Sequence, residues 1–272
     1  MTRLVNIRPK REAAMALGAI PLLIIFFVYI FVSEARHAAN PADKLLPTIA
    51  KMAEAINKMA FQPDQLTGNI LLWADTAASL QRLGIALFIS TIIALLLGLA
   101  LGMIPLIRAK FGALVMTISV IPPVAILPVL FIIFGLGETS KIVLIVIGIT
   151  PFLVRDLAAF IAALPAEQII KAQTLGAGTW LLTIRVALPQ MLPRLIDGLR
   201  LSLGPAWVFL ISAEAIASDI GLGYRIFLVR RYLSMDIILP YVAWIALLAI
   251  LIDWALRSIS RLAFPWAPRG KN

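Results

Sequence analysis

Apolar residues in this 272-residue chain are gathered in long blocks rather than spread at the short periods of soluble elements. Blocks cover residues 15–32, 80–104, 111–134, 142–161, 195–216 and 237–256. As helices rising about 1.5 Å per residue, they approach or exceed the ~30 Å of a bilayer's hydrocarbon core. The pattern predicts an all-α integral membrane protein with six spans. Two polar intervals break it, 33–79 and 162–194. In the first, Leu45, Ile49, Met52, Ile56 and Met59 recur every three or four residues, with Lys51, Glu54 and Lys58 between them. That spacing predicts an amphipathic helix at the outer interface or against the bundle. The expected organisation is an N-terminal segment 1–14, a first span 15–32, an outer segment 33–79, a five-helix core 80–257 and a C-terminal segment 258–272.

Within the blocks, breaks and polar residues carry the information. Gly98 and Gly102 form a small-xxx-small pair suited to close helix approach. Arg82 is expected to snorkel outward from the end of its span. Pro122, Pro123 and Pro128, in IPPVAILP, cannot leave an unbroken hydrogen-bond ladder. Such backbone persists at membrane depth only when buried in protein or facing a cavity, which places these prolines on a translocation path, the alternative being a kink needed only for packing. GLGETSK (135–141) reads as a tight outer turn, and GLGY (221–224) as a sharp bend. Arg155 and Asp156 are adjacent and share no helix face; they are expected to mark an inner boundary, the alternative being partners in the bundle interior.

Composition supports this frame: 61% hydrophobic, 14% charged, mean hydropathy +0.99. The net charge of +10 would suggest nucleic acid in a soluble protein. Here the basic residues cluster at block ends, as the positive-inside pattern requires, with no nucleic-acid partner. Fifteen of the 24 Lys and Arg fall on the inner side of a six-span assignment and nine on the outer, so both termini are expected in the cytoplasm of a bacterial inner-membrane protein. Arg3, Arg8, Lys10 and Arg11 hold the N-terminus inside; Arg257, Arg261, Arg269 and Lys271 hold the C-terminus. The first block is long, and SEARHAAN after it is a poor cleavage site, so it reads as a retained anchor rather than a signal peptide. With no cysteine, thiol and disulfide chemistry are absent; the single His37 is expected in an exposed loop.

Catalysis by the chain itself is not expected. No phosphate-binding loop, metal-ligand cluster or nucleophile beside a base is legible, and Asp197, Glu214 and Asp253 look dispersed at span ends. The polar interval 162–194 stands out instead. A short helix is expected from Pro165, with Glu167 in its first turn and Gly176 and Gly178 ending it. A second helix is expected from a Thr179 cap to Pro189. Two short helices about a tight turn form a knob through which a soluble partner can push on a membrane helix.

These residues resemble the membrane subunit of binding-protein-dependent ATP-binding-cassette importers. That family carries a loop of the form Glu-Ala-Ala, three residues, Gly, about nine residues, Ile-x-Leu-Pro. Here it reads Ile170-Lys171-Ala172, Gln173-Thr174-Leu175, Gly176, then Val186-Ala187-Leu188-Pro189. Ile-Lys replaces the opening Glu-Ala, and Glu167, one turn earlier, is positioned to supply the acid. LPRLIDGLRLSLGPAWVFLISAEAIASDIGLGYRI, TAASLQRLGIALFISTIIALLLG and IPPVAILPVLFIIFGLGETSK resemble the nitrate, sulfonate and taurine type of permease, over about Leu72 to Trp254.

The resemblance implies a six-helix type I importer permease fold with a cytoplasmic coupling loop contributed by Glu167, Lys171, Ala172, Leu175, Gly176, Leu188 and Pro189. It implies a second copy or close homologue, two ATPase subunits carrying ATP and Mg, and an extracytoplasmic binding protein, with no cofactor held by this chain. Trp207 and Glu214 join the three prolines as path or gating candidates. Arg225, Arg230 and Arg231 are expected to attract an anionic solute or to contact the binding protein. The expected solute is nitrate, taurine or another sulfonate. The alternatives are a small neutral or cationic nitrogen compound, an ATP-independent transporter or channel, or a scaffold without a solute path.

Overall fold

The computed structural model describes residues 10–40, 43–65 and 68–267. Arg3, Arg8, Arg269 and Lys271 lie outside the described residues. The order is α1 (Arg11–Ala39), α2 (Ile49–Phe61), α3 (Leu71–Met103), α4 (Pro105–Val120), α5 (Pro123–Phe134), α6 (Glu138–Ala162), α7 (Ala166–Thr174), α8 (Thr179–Leu182), a π-helical turn at Thr183–Ala187, α9 (Leu188–Ile216), α10 (Leu222–Arg230) and α11 (Met235–Ala263). No strand occurs among the described residues. Among the described residues five helices are long and apolar enough to cross a membrane, or six if α4 and α5 count as one span bent by 96°.

The core is the packing of α3, α6 and α9. Small residues set the spacing. A Cβ at Gly98 would lie 2.8 Å from Leu157 Cβ, and one at Gly102 would lie 2.6 Å from Ile161 Cβ. The Gly98–Gly102 pair thus lets α6 lie against α3 as its spacing promised, the two chains running in the same direction. Gly148 does the same for the Phe209 ring of α9, 2.3 Å from a Cβ there. Few side chains tie α1 down: Tyr29 donates to Pro47 O at 2.6 Å and Ser33 to the same carbonyl at 3.0 Å. The most apolar stretch of α1 is wholly unburied and is available to lipid or to another subunit.

Several expectations are corrected. The second span begins at Leu71, not Leu80, because Asp75, Ser79 and Arg82 are buried in the bundle rather than marking its edge. Arg82 does not snorkel; it is 3% exposed and paired. His37 is in helix α1, half-buried, with Nε2 2.8 Å from Lys51 Nζ. Thr179 is not a cap, since Gly178 occupies that position. Pro189 does not terminate a helix. It falls in the first turn of α9, where a missing amide costs nothing, and the preceding π turn lets the chain run from Thr179 to Ile216 as one element.

Candidate functional site

The knob between α6 and α9 is built by local chemistry. Glu167 in the first turn of α7 and Lys171 in its last both complement the helix dipole. At the far end Gly176 has φ 83°, its amide bonding Gln173 O at 2.9 Å while the Ala177 amide reaches Ala172 O at 3.0 Å. That double bond is the Schellman stop, and it needs a residue free to adopt the left-handed conformation. Within the chain a Cβ at Gly176 would meet nothing within 4 Å, so backbone conformation accounts for the glycine here.

Glu167, Lys171, Leu175 and Gly176 are exposed, while Ala172, Leu188 and Pro189 are half-buried. Beside the charges stand Ile170, Leu175 and Trp180 at 56, 88 and 76% exposure. A short helix and the turn and helix that follow it, presenting large apolar side chains beside charged ones, have the character of a docking surface. It is coupled to the bundle at its base. Gln190 of α9 donates to Gln168 of α7 at 3.0 Å, and Arg194 of α9 grips Asp156 of α6, Nε to Oδ2 at 2.8 Å. Asp156 therefore pairs across helices, and Arg155 donates instead to Ser119 at 2.7 Å. Nearly two turns on, Arg200 bonds Asp253 of α11 at 2.8 Å and Asp197 at 3.1 Å.

The opposite end holds a second, more buried cluster. Glu214 is fully buried and accepts from Ser79 Oγ at 2.8 Å, Arg82 Nη1 at 2.6 Å and the Gly223 amide at 2.8 Å. Ser79 Oγ accepts in turn from the Leu222 amide at 2.9 Å, and Asp75 Oδ1 from the Gly221 amide at 3.0 Å. Three successive amides at the start of α10 are thus bound by side chains of α3 and α9. The glycines of the GLGY turn are required by this fit. Gly221 has φ 139°, and a Cβ on it would sit 2.6 Å from the Glu214 carboxylate. A Cβ on Gly223 would lie 2.8 Å from Ile211 O.

Arg82 also grips Glu138 through Nε and Nη2, and buried Lys141 bonds Glu138 at 2.9 Å and Ser218 at 3.2 Å. Glu214, read from the sequence as isolated, therefore shares a cluster with Asp75 and Glu138. Their separation by more than 60 residues along the chain hid this. The one sequence signal was the coincidence of Arg82, Lys141 and Glu214 at span ends.

The remaining candidates separate into different environments. Arg225 bonds Asp75 at 2.8 Å, and Tyr241 donates to the same carboxylate at 3.2 Å. Burial disfavours the Arg225 charge, but the Asp75 hydrogen bond and charge more than offset it and hold the guanidinium pKa above its ordinary value. Arg230 and Arg231 are exposed, with Arg230 over the Phe227 ring at 4.9 Å. Trp207 is 4% exposed in the α3–α6–α9 core. Pro122 caps α5 and Pro123 opens it, making the 96° bend, and Pro122 and Pro128 are exposed on the outer face of the broken pair. Among the described residues no group of three metal-ligating side chains occurs.

Residues 94–264 match the family model described as binding-protein-dependent transport system inner membrane component. The chain is 36% identical over 195 residues to the taurine transport system permease protein TauC of Escherichia coli (strain K12), covering 72% of this chain and 71% of that one. It is 23% identical over 257 residues to the nitrate import permease protein NrtB of Leptolyngbya laminosa, covering 90 and 91%. A chain of the MetNI methionine transporter in an inward-facing conformation superposes with a TM-score of 0.59 at 21% identity, covering 70% of this chain and 96% of that one, a likeness of fold. Matched by that family model over residues 94–264 and 36% identical to a permease of the same kind over 72% of its length, this chain belongs to the inner-membrane permease family of binding-protein-dependent ABC importers.

Proposed function

We propose that this chain forms, with a second copy or close homologue, the transmembrane path of an importer for a small sulfonate or nitrate-like anion, delivered by an extracytoplasmic binding protein and driven by two ATPase subunits. As a permease of the ABC importer family it is a multi-pass inner-membrane protein, and the relatives it resembles are themselves permease subunits rather than catalysts. Taurine, aliphatic sulfonates and nitrate, named for its relatives, each present a small oxyanion group, a sulfonate or a nitrate, which favours solutes with such a group. Pro122, Pro123 and Pro128 flank the path in this reading, and Trp207 and Glu214 stiffen the helix beside it. Exposed Arg230 and Arg231 meet the incoming anion or its carrier.

The observation that carries the reading is the exposed knob of α7, stopped at Gly176 and tied by Gln168–Gln190 to the longest continuous element among the described residues, which Arg194–Asp156 fastens in turn to α6 at the knob's base. In this proposal the ATPase receives Ile170, Leu175 and the flanking charges, and ATP-driven movement passes through Pro189 into α9. The test separates the two possible demands on Gly176. Asparagine tolerates the left-handed conformation but adds a side chain toward the partner. Gly176→Asn is expected to preserve insertion and melting temperature while the ATPase no longer copurifies or its hydrolysis no longer responds to solute. Wild-type solute-stimulated hydrolysis and uptake in that variant would remove the knob as the coupling site. Binding-protein melting screened against taurine, alkanesulfonates and nitrate addresses the solute class. Stabilisation only by nitrogen compounds that carry no sulfonate or other oxyanion group overturns it.

A further inference from the structure

A cavity of about 1160 Å³ lies at the knob end of the bundle, between the root of α7, the first turns of α9 and the last turns of α11. Four of its lining residues are arginines, Arg194, Arg200, Arg257 and Arg261, against one lining carboxylate, Asp197. Their charges are unevenly matched. Arg200 is paired with two carboxylates, Asp197 and Asp253, and Arg194 spends Nε and Nη2 on Asp156. Arg257 reaches Asp253 only at 3.8 Å, and Arg261 has no partner among the described residues. Arg257 and Arg261 stand one turn apart on one face of α11, an arrangement of like charges that disfavours the helix unless an anion lies between them. Phe264 continues that face, and all three line the cavity.

We infer that this cavity binds the phosphate headgroup of an anionic phospholipid, held by Arg257 and Arg261 with the remaining Arg194 donor opposite. The source of the phosphate follows from position. These arginines occupy the end of a 29-residue apolar helix, and beside them Leu262 is 84% and Trp266 60% exposed. Arginine, an interfacial tryptophan and an exposed aliphatic side chain at a span end describe the headgroup boundary of a bilayer, where basic pockets between helices take anionic lipid. Leu164, Pro165 and Gln168 line the same cavity, so a bound headgroup bridges α11 to the root of the knob. Its effect on transport rests on the coupling role proposed above; its binding does not.

The test uses the permease with its copurifying ATPase in nanodiscs of phosphatidylcholine with and without phosphatidylglycerol. Native mass spectrometry then counts the phosphatidylglycerol retained per permease after transfer to detergent. The wild type is expected to retain it selectively. At roughly fivefold in affinity per arginine near an anionic surface, the R257Q/R261Q pair should weaken retention about 30-fold, while R257K/R261K restores most of it. R261Q alone, at an exposed position, should lose about fivefold and covers the case of a double variant that does not insert. Equal retention by wild type and R261Q overturns the inference. So does protection of the lipid-free complex by inorganic phosphate or taurine without lipid retention, which would make the ligand a soluble anion. ATPase copurification, scored in the same samples, reports on the coupling role separately.

Discussion

At the residue scale, the buried charges at the end opposite the knob are held by multiple partners rather than by single ion pairs. Glu214 has no exposure, and its charge is compensated by Arg82, Ser79 and the Gly223 amide together. Removing Arg82 leaves that carboxylate without its counter-ion, so Arg82→Ala is expected to cost about 3–5 kcal/mol. Thermal or detergent unfolding of the purified protein measures it. Glu214→Gln keeps the shape and an acceptor, and should cost markedly less. Equal melting of Arg82→Ala and wild type would mean the cluster contributes little. Gly221→Ala places a methyl 2.6 Å from the Glu214 carboxylate in a strained backbone, and is expected to detach α10 with a loss of similar sign. The Ala-Glu and Gly-Leu-Gly-Tyr motifs were legible in sequence. That one exists to bind the other was not, because Asp75 and Ser79, which complete the arrangement, lie about 140 residues away.

At the element scale, helix contacts follow small residues and breaks follow prolines. Gly102 faces Ile161 with no room for a Cβ. Gly102→Leu should therefore separate α3 from α6 and destabilise by about 1–3 kcal/mol or more. Ile161→Ala in the same chain should recover part of that loss, and a double-mutant cycle on unfolding midpoints reads the coupling. Additive effects would place the two side chains out of contact. The close-approach pair was visible as Gly98 and Gly102, whereas Gly148 against Phe209 was not, since a lone glycine names no partner. Pro189 shows the converse limit. Its ring blocks an amide, which reads as a stop, but a helix start tolerates the loss equally well, and the π turn before it supplies that start.

At the scale of the whole molecule, polar side chains form two layers separated by the apolar core of α3, α6 and α9, one beneath the knob and one around α10. The layers give the bundle two distinct ends, and the weighting of Lys and Arg along the sequence predicts that the knob faces the cytoplasm. The chain contains no cysteine, so single-cysteine variants test this directly. Leu175→Cys at the knob and Tyr232→Cys beyond α10 replace residues 88 and 69% exposed. An impermeant maleimide applied to cells with a permeable outer barrier should label position 232 and spare 175. Inverted membrane vesicles should give the reverse. The opposite pattern would invert the topology and place the knob away from ATP.

The sequence by itself determined the membrane class, the apolar blocks, the break in the third of them, the short polar helix of the knob and the family, because each depends on local composition or on a motif contained in one stretch of chain. Burial of Arg82, Lys141 and Glu214, the binding of the α10 amides and the arginine cavity beneath α11 were decided only by the tertiary structure. Polar residues at span ends look alike in sequence whether they face water or one another. Their environment depends on which helices meet and at what height, and packing across more than a hundred residues sets both. The knob that sequence singled out keeps its place, but its glycine is now explained by the left-handed turn that stops α7.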